Sequence, residues 1–192
     1  MATLPTQDSY TAGVPVTAPV LNKNVRDALN FLLAPPQVLL TRSTSWTLAS
    51  ASNPRLITEW NSEIVDTDGM WNPTPNPSRL TAQTPGLYEL TIFVHYPSAL
   101  NGGSGNVICG IQLNANGGVW AGTPESRIAE DGRPLNNGTS PSSGTSSDLV
   151  VEQYMNAGDY VEFYAGQSSG SSASMGANAF SLFCAARWVA SG

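Results

Sequence analysis

The side chains that could do chemistry are few and scattered. Asp66 and Asp68, with Gly69 behind them and Glu63 ahead, put hard carboxylate oxygens beside a residue that permits a tight loop, as calcium ligands do. The run stops short of the further ligands such a loop needs. The same aspartates read more readily as a turn bonded to its own backbone, so no metal is expected. Glu59, Glu63, Asp66, Asp68, Glu125, Glu130 and Asp131 supply acids for glycoside cleavage, which takes two carboxylates at a set separation in a cleft. Nothing in their spacing selects one pair. His95, the one histidine, is the base a serine nucleophile would need, yet no serine lies in a G-x-S-x-G elbow. No catalytic residue and no cofactor is therefore expected, and the chain reads as non-enzymatic.

Aromatic faces can also bind sugars. Trp71 and Trp120 lie near loops and are the candidates for contact with a glycan, whereas Trp46, Trp60 and Trp188 read as core. Cys109 and Cys184 each sit on an apolar strand pattern, with no C-x-x-C spacing. They are either two buried thiols or a disulfide between strands.

Composition narrows the classes further. Charged residues make up 11% of the 192, well below the usual quarter, while Gly, Pro, Ser, Thr and Asn abound, which favours turns and strands over exposed helices. A hydrophobic share of 41% can bury a single core. The net charge is −6, and the 8 basic residues are spread singly, so nucleic acid has no basic footprint to bind. Lys23 is the sole lysine, and an arginine bias suits packing between subunits as well as it suits codon preference. No apolar run reaches the ~20 residues of a membrane-spanning helix, and residues 1–8 lack the basic start and apolar middle of a signal peptide. Membrane insertion is not expected.

The elements that must position these residues fall into two parts. Residues 1–16 are polar and punctuated by proline, an arm that orders only against something else. Thr17 then caps, and Pro19 opens, one short helix that Pro35-Pro36 ends. Leu21, Val25, Ala28, Leu29 and Leu32 recur on it at helical spacing, a stripe that must dock on its own domain or on a partner. From residue 37 strand signals recur: Val38-Leu39-Leu40, Ser45 to Leu48, Leu56 to Trp60, Val107 to Leu113, Leu149 to Met155, Tyr160 to Tyr164, and a closing run through Phe180, Leu182, Cys184, Ala186 and Trp188. The longest alternation is Tyr88, Leu90, Ile92, Val94 and Tyr96, which follows a Pro85-Gly86 corner. Residues 61–78, 132–147 and 167–177 read as connections or surface loops. About eight to ten short strands predict a two-sheet sandwich with Greek-key connections.

Two resemblances extend this reading. The corner, with Leu80, Ala82, Gly86, Tyr88 and Leu90 on its apolar and turn positions, is similar to that of C1q/tumour-necrosis-factor-like jelly rolls. Ala157-Gly158-Asp159-Tyr160-Val161 resembles a later turn of the same family, and Phe180 to Cys184 its closing strand, with Leu182 where the family has glycine. The resemblance implies an all-β, C1q/TNF-like jelly roll over residues 37–192 that assembles as a homotrimer about a three-fold axis. Residues 10–36, through Leu21-Asn22, Val25-Arg26-Asp27 and Pro35-Pro36, resemble the N-terminal segment of tailed-bacteriophage virion proteins. That implies a virion structural protein assembled in the bacterial cytoplasm. Residues 1–36 are its attachment segment and the stripe at Leu21, Val25, Ala28, Leu29 and Leu32 its contact with other virion proteins of the tail or capsid. A minor tail protein is the first expectation and a capsid decoration protein the second. A host-glycan-binding adhesin or depolymerase is the competing class.

Overall fold

Tyr88, Leu90, Ile92, Val94 and Tyr96 are all buried, so their alternation becomes an eleven-residue strand with one face in the core. The computed structural model describes residues 5–6, 8–51, 54–58, 60–97, 100, 105–115, 126–135, 144–176 and 181–192.

The chain opens on a helix in three pieces, α-helical over Ala18–Leu21 and Ala28–Leu33 and π-helical over Asn22–Asp27 between them. Twelve described strands come after it: β1 (Gln37–Thr41), β2 (Trp46–Leu48), β3 (Arg55–Leu56), β4 (Ser62–Asp66), β5 (Arg79–Thr81), β6 (Gly86–Tyr96), β7 (Asn106–Leu113), β8 (Arg127–Pro134), β9 (Thr145–Met155), β10 (Tyr160–Gln167), β11 (Ala173–Met175) and β12 (Leu182–Ala190). One sheet runs β4-β1-β12-β6-β9. The second runs β3-β10-β7-β8, with β5 also paired to β10, and β11 pairs β2 in a small third sheet. Strands distant in sequence lie side by side, the crossing pattern of Greek-key sandwiches, and the two larger sheets enclose one apolar core. Leu40, Leu90, Ile92, Cys184 and Ala186 enter it from the first sheet, and Cys109, Ile111, Val161 and Phe163 from the second.

Polar contacts fasten the corner ahead of β6. Pro85-Gly86 turns the chain, the Tyr88 hydroxyl donates to the Thr84 carbonyl at 2.6 Å, and the Trp188 indole donates to the Pro85 carbonyl at 3.2 Å. On β5, Arg79 reaches the buried carboxylate of Glu162 at 3.1 Å, which also accepts from the Ser78 hydroxyl. A buried carboxylate needs such partners, and these tie β5 to β10.

Several expected connections contain or border strands, and residues 136–143 of the expected 132–147 loop lie outside the described residues. Residues 61–78 contain β4; β8 continues to Pro134 and β9 begins at Thr145, so both ends of the expected 132–147 loop are paired; and the 167–177 loop contains β11. Backbone pairing overrides their polar composition, because strand formation depends on neighbours more than on residue type. The strand expected over 56–60 is shorter, confined to Arg55–Leu56, although Ile57 and Trp60 are buried as expected. Thr17 makes no side-chain capping bond, and the helix starts without one.

Candidate interaction surface

The outer face of the five-stranded sheet is where the architecture leaves apolar groups open. Register aligns Val65 on β4, Leu39 on β1, Ala185 on β12, Thr91 on β6 and Val150 on β9 in one row across all five strands. The row holds no charged side chain, and Val150 at its edge is 62% exposed. In the next row Phe183 and Phe93 pair across strands and stack, with ring centroids 5.3 Å apart and planes 10° from parallel. On the row's other side lie Gln37, Arg187, Glu89 and Glu152, the last two being like charges directly opposite one another. Beyond them Leu87 faces Tyr154, which is exposed, as is Val189.

His95 lies on this same face, its Nδ1 3.1 Å from the Ser146 hydroxyl, and no carboxylate orients its other nitrogen among the described residues. That pairing is a cross-strand contact between β6 and β9. A nucleophile-activating pair would need a third group to hold the imidazole.

The helix buries one side chain against the sandwich. Among its described residues Phe31 alone is buried, edge-on to Trp188 of β12. Leu21, Val25, Leu29 and Leu32 are exposed, while Ala28 is half-buried and Leu33, missed by the sequence stripe, is the most open of all. The π-helical turn accounts for the change, since it rotates the residues after it relative to a regular α-helix. Ahead of the helix, the Lys23 ammonium meets the Asp8 carboxylate at 2.6 Å, and Asn24 bonds both the Asp8 backbone and the Tyr10 hydroxyl.

The aspartate loop turns inward. The Asp66 carboxylate accepts from the backbone amides of Asp68, Met70 and Trp71 at 2.8–3.2 Å, and buried Asp68 accepts from the Thr84 hydroxyl at 2.9 Å. These bonds make the loop a turn bonded to its own backbone. No group of three or more His, Cys, Asp or Glu side chains suited to a metal occurs among the described residues. The other carboxylates are not gathered: Glu63 is on β4 at the edge of one sheet, and Glu130 and Asp131 are on β8 at the edge of the other. Glu59 and Glu125 lie outside the described residues.

Trp71 is half-buried, with its indole donating to the Pro77 carbonyl at 3.0 Å; Trp120 lies outside the described residues. Cys109 and Cys184 are free and buried. Burial pushes the Cys109 thiol up to about 11, despite a hydrogen bond from Ser147, and burial also raises Cys184 well above the ordinary thiol range.

This architecture defines a jelly-roll sandwich of the C1q/TNF type. No protein-family model and no curated protein matches the sequence. Among solved structures the chain is similar to the Eiger TNF of S. frugiperda, with a TM-score of 0.54 at 9% identity over 82% of this chain and 95% of that one. Murine APRIL is similar at a TM-score of 0.53 and 10% identity, over 80% of this chain and 98% of that one. At these identities the likeness is one of fold.

Proposed function

We propose that this chain is a non-enzymatic structural protein of a tailed-phage virion, built as a homotrimer whose jelly rolls meet through the outer face of the five-stranded sheet. The observation that carries the reading is the uncharged row Val65, Leu39, Ala185, Thr91 and Val150, backed by the Phe93 and Phe183 stack. An exposed apolar strip rimmed by polar residues is the kind of surface that marks a protein–protein contact. A trimer is the assembly that the likeness to C1q/TNF-like jelly rolls implies. The virion context rests on the resemblance of residues 10–36 to phage virion proteins, and it makes residues 1–36 the segment that holds the particle. A minor tail protein remains the first choice and a capsid decoration protein the second.

Sedimentation of the purified 20.2 kDa chain tests the assembly. Three chains per particle are expected for the wild type, and Val150→Arg should dissociate them, because a charge in the contact has no partner. A wild-type monomer at micromolar concentration sinks the trimer. Labelling purified particles with an antibody to residues 37–192 tests the context. Label on tails supports the first choice and label on heads the second, while particles without the protein refute a virion role.

A further inference from the structure

The helix carries an apolar line that its own sandwich does not use. Leu21, Val25, Leu29 and Leu33 recur every four residues, and all stand open, from 48% for Val25 to 82% for Leu33. In a regular α-helix a four-residue repeat drifts round the axis, because 3.6 residues complete a turn. Here the stretch Asn22–Asp27 is π-helical, and i→i+5 bonding fits more residues into each turn, which offsets the drift of the regular α-helical turns on either side. Phe31 takes the sandwich side, and the arm takes the side at Lys23 and Asn24. The charges of the helix are already paired, Lys23 with Asp8 and Arg26 with Asp27 at 2.8 Å. Identical copies of this face can therefore approach without repelling one another.

What covers the line is indicated by its continuity with the sheet. Leu32, Leu33 and Pro35 share one groove with Gln37, Arg187, Trp188 and Val189. Gln37, Arg187 and Val189 belong to the outer face of the five-stranded sheet. A copy seated on that face lies beside the helix as well.

We infer that the helices of the three copies pack on one another along Leu21, Val25, Leu29 and Leu33, forming a short bundle on the trimer axis. This inference rests on the trimer proposed above. An apolar line repeated by rotation meets its own copies, as packing about a symmetry axis requires. The bundle would then turn the line inward and leave the arms of residues 1–16 to face the particle.

Cysteine cross-linking of the full chain tests it, since Cys109 and Cys184 are buried and free. Leu29→Cys, oxidised with copper phenanthroline, should join two of every three chains as a disulfide-linked dimer on a denaturing gel. Arg26→Cys, exposed and off the line, should remain unlinked. Sedimentation of the same samples separates the two possible failures. A trimer in which position 29 links no more than position 26 overturns the bundle and leaves the trimer standing, the result also expected if another virion protein covers the line. A monomer overturns both.

Discussion

Phe31, the buried side chain of the helix, stands edge-on to Trp188, with ring centroids 4.8 Å apart and planes at 89°. The same tryptophan receives support from both sides. Its amide donates to the Pro36 carbonyl at 2.8 Å and its indole to the Pro85 carbonyl, joining the end of the helix segment to the corner ahead of β6.

Phe31→Ala should therefore release the helix while leaving the jelly roll folded. The loss is about 2–4 kcal/mol for the buried ring and its edge-to-face contact. Amide exchange over residues 18–33 should accelerate strongly and exchange in β6 should not. Unchanged protection in the helix would show that Phe31 does not hold it.

Gly86 cannot carry a side chain. A Cβ there would lie 2.1 Å from the Trp188 indole nitrogen and 2.6 Å from the Ala190 carbonyl oxygen. Gly86→Ala should cost at least about 2 kcal/mol, since backbone and a packed ring must both shift. Gly158 has a positive φ of 93° but nothing within 4 Å of its Cβ position, so Gly158→Ala should cost only about 1–2 kcal/mol of backbone strain. Thermal melts that ranked the two substitutions the other way would contradict this packing.

Acid should weaken the fold through Asp131 and Asp159. Burial alone would raise the Asp131 carboxyl, but the Ser147 hydroxyl and the Arg133 guanidinium outweigh it and hold the group below its ordinary range. Asp159 is likewise lowered, with Asn114 and Asn156 outweighing burial. A carboxyl depressed in the folded state stabilises fully above its unfolded value of about 3.9, and that contribution is lost as pH falls through the lower folded value. The double variant Asp131→Asn, Asp159→Asn should be less stable than wild type at pH 7 and converge with it at pH 2. Parallel stability curves down to pH 2 would exclude these two groups as the source.

Neither cysteine should react in the folded protein. At pH 8 Cys109 is protonated and both thiols are buried, so a chromogenic disulfide reagent should detect no thiol natively and two after denaturation. Rapid native labelling of either would mean that the sheets open readily.

The core half of this fold is legible in the sequence, because period-two alternation at Tyr88 to Tyr96 and the Pro85-Gly86 corner are local signals. The outer face is not. Phe93 and Phe183 meet only through the register of β6 with β12, and composition marks the odd positions of β6 as polar by Glu89, Thr91 and His95. The signal that does mark this face is the set Leu87, Phe93, Val150 and Phe183, apolar residues at strand positions whose neighbours are otherwise polar. Strand β8 escapes notice because its residues are charged or small and its conformation is imposed by pairing with β7. On the helix, Ala28 is half-buried and Leu33 exposed, an exposure pattern that a spacing of 3.6 residues per turn does not anticipate across the π-helical stretch.

Strand β12 lies between β1 and β6, so the middle of the five-stranded sheet is filled by the last strand of the jelly roll to leave the ribosome. Without β12, β1 and β6 have no strand to join them, and the backbone donors and acceptors that pair with it are left to water or to another chain. Synthesis adds roughly 5–20 residues per second, so this open interval lasts seconds, long compared with the microseconds of hairpin formation. A chain halted before residue 182 cannot close its sheet, whatever else it has formed. Translation through β12 is thereby made a condition of completing this sheet.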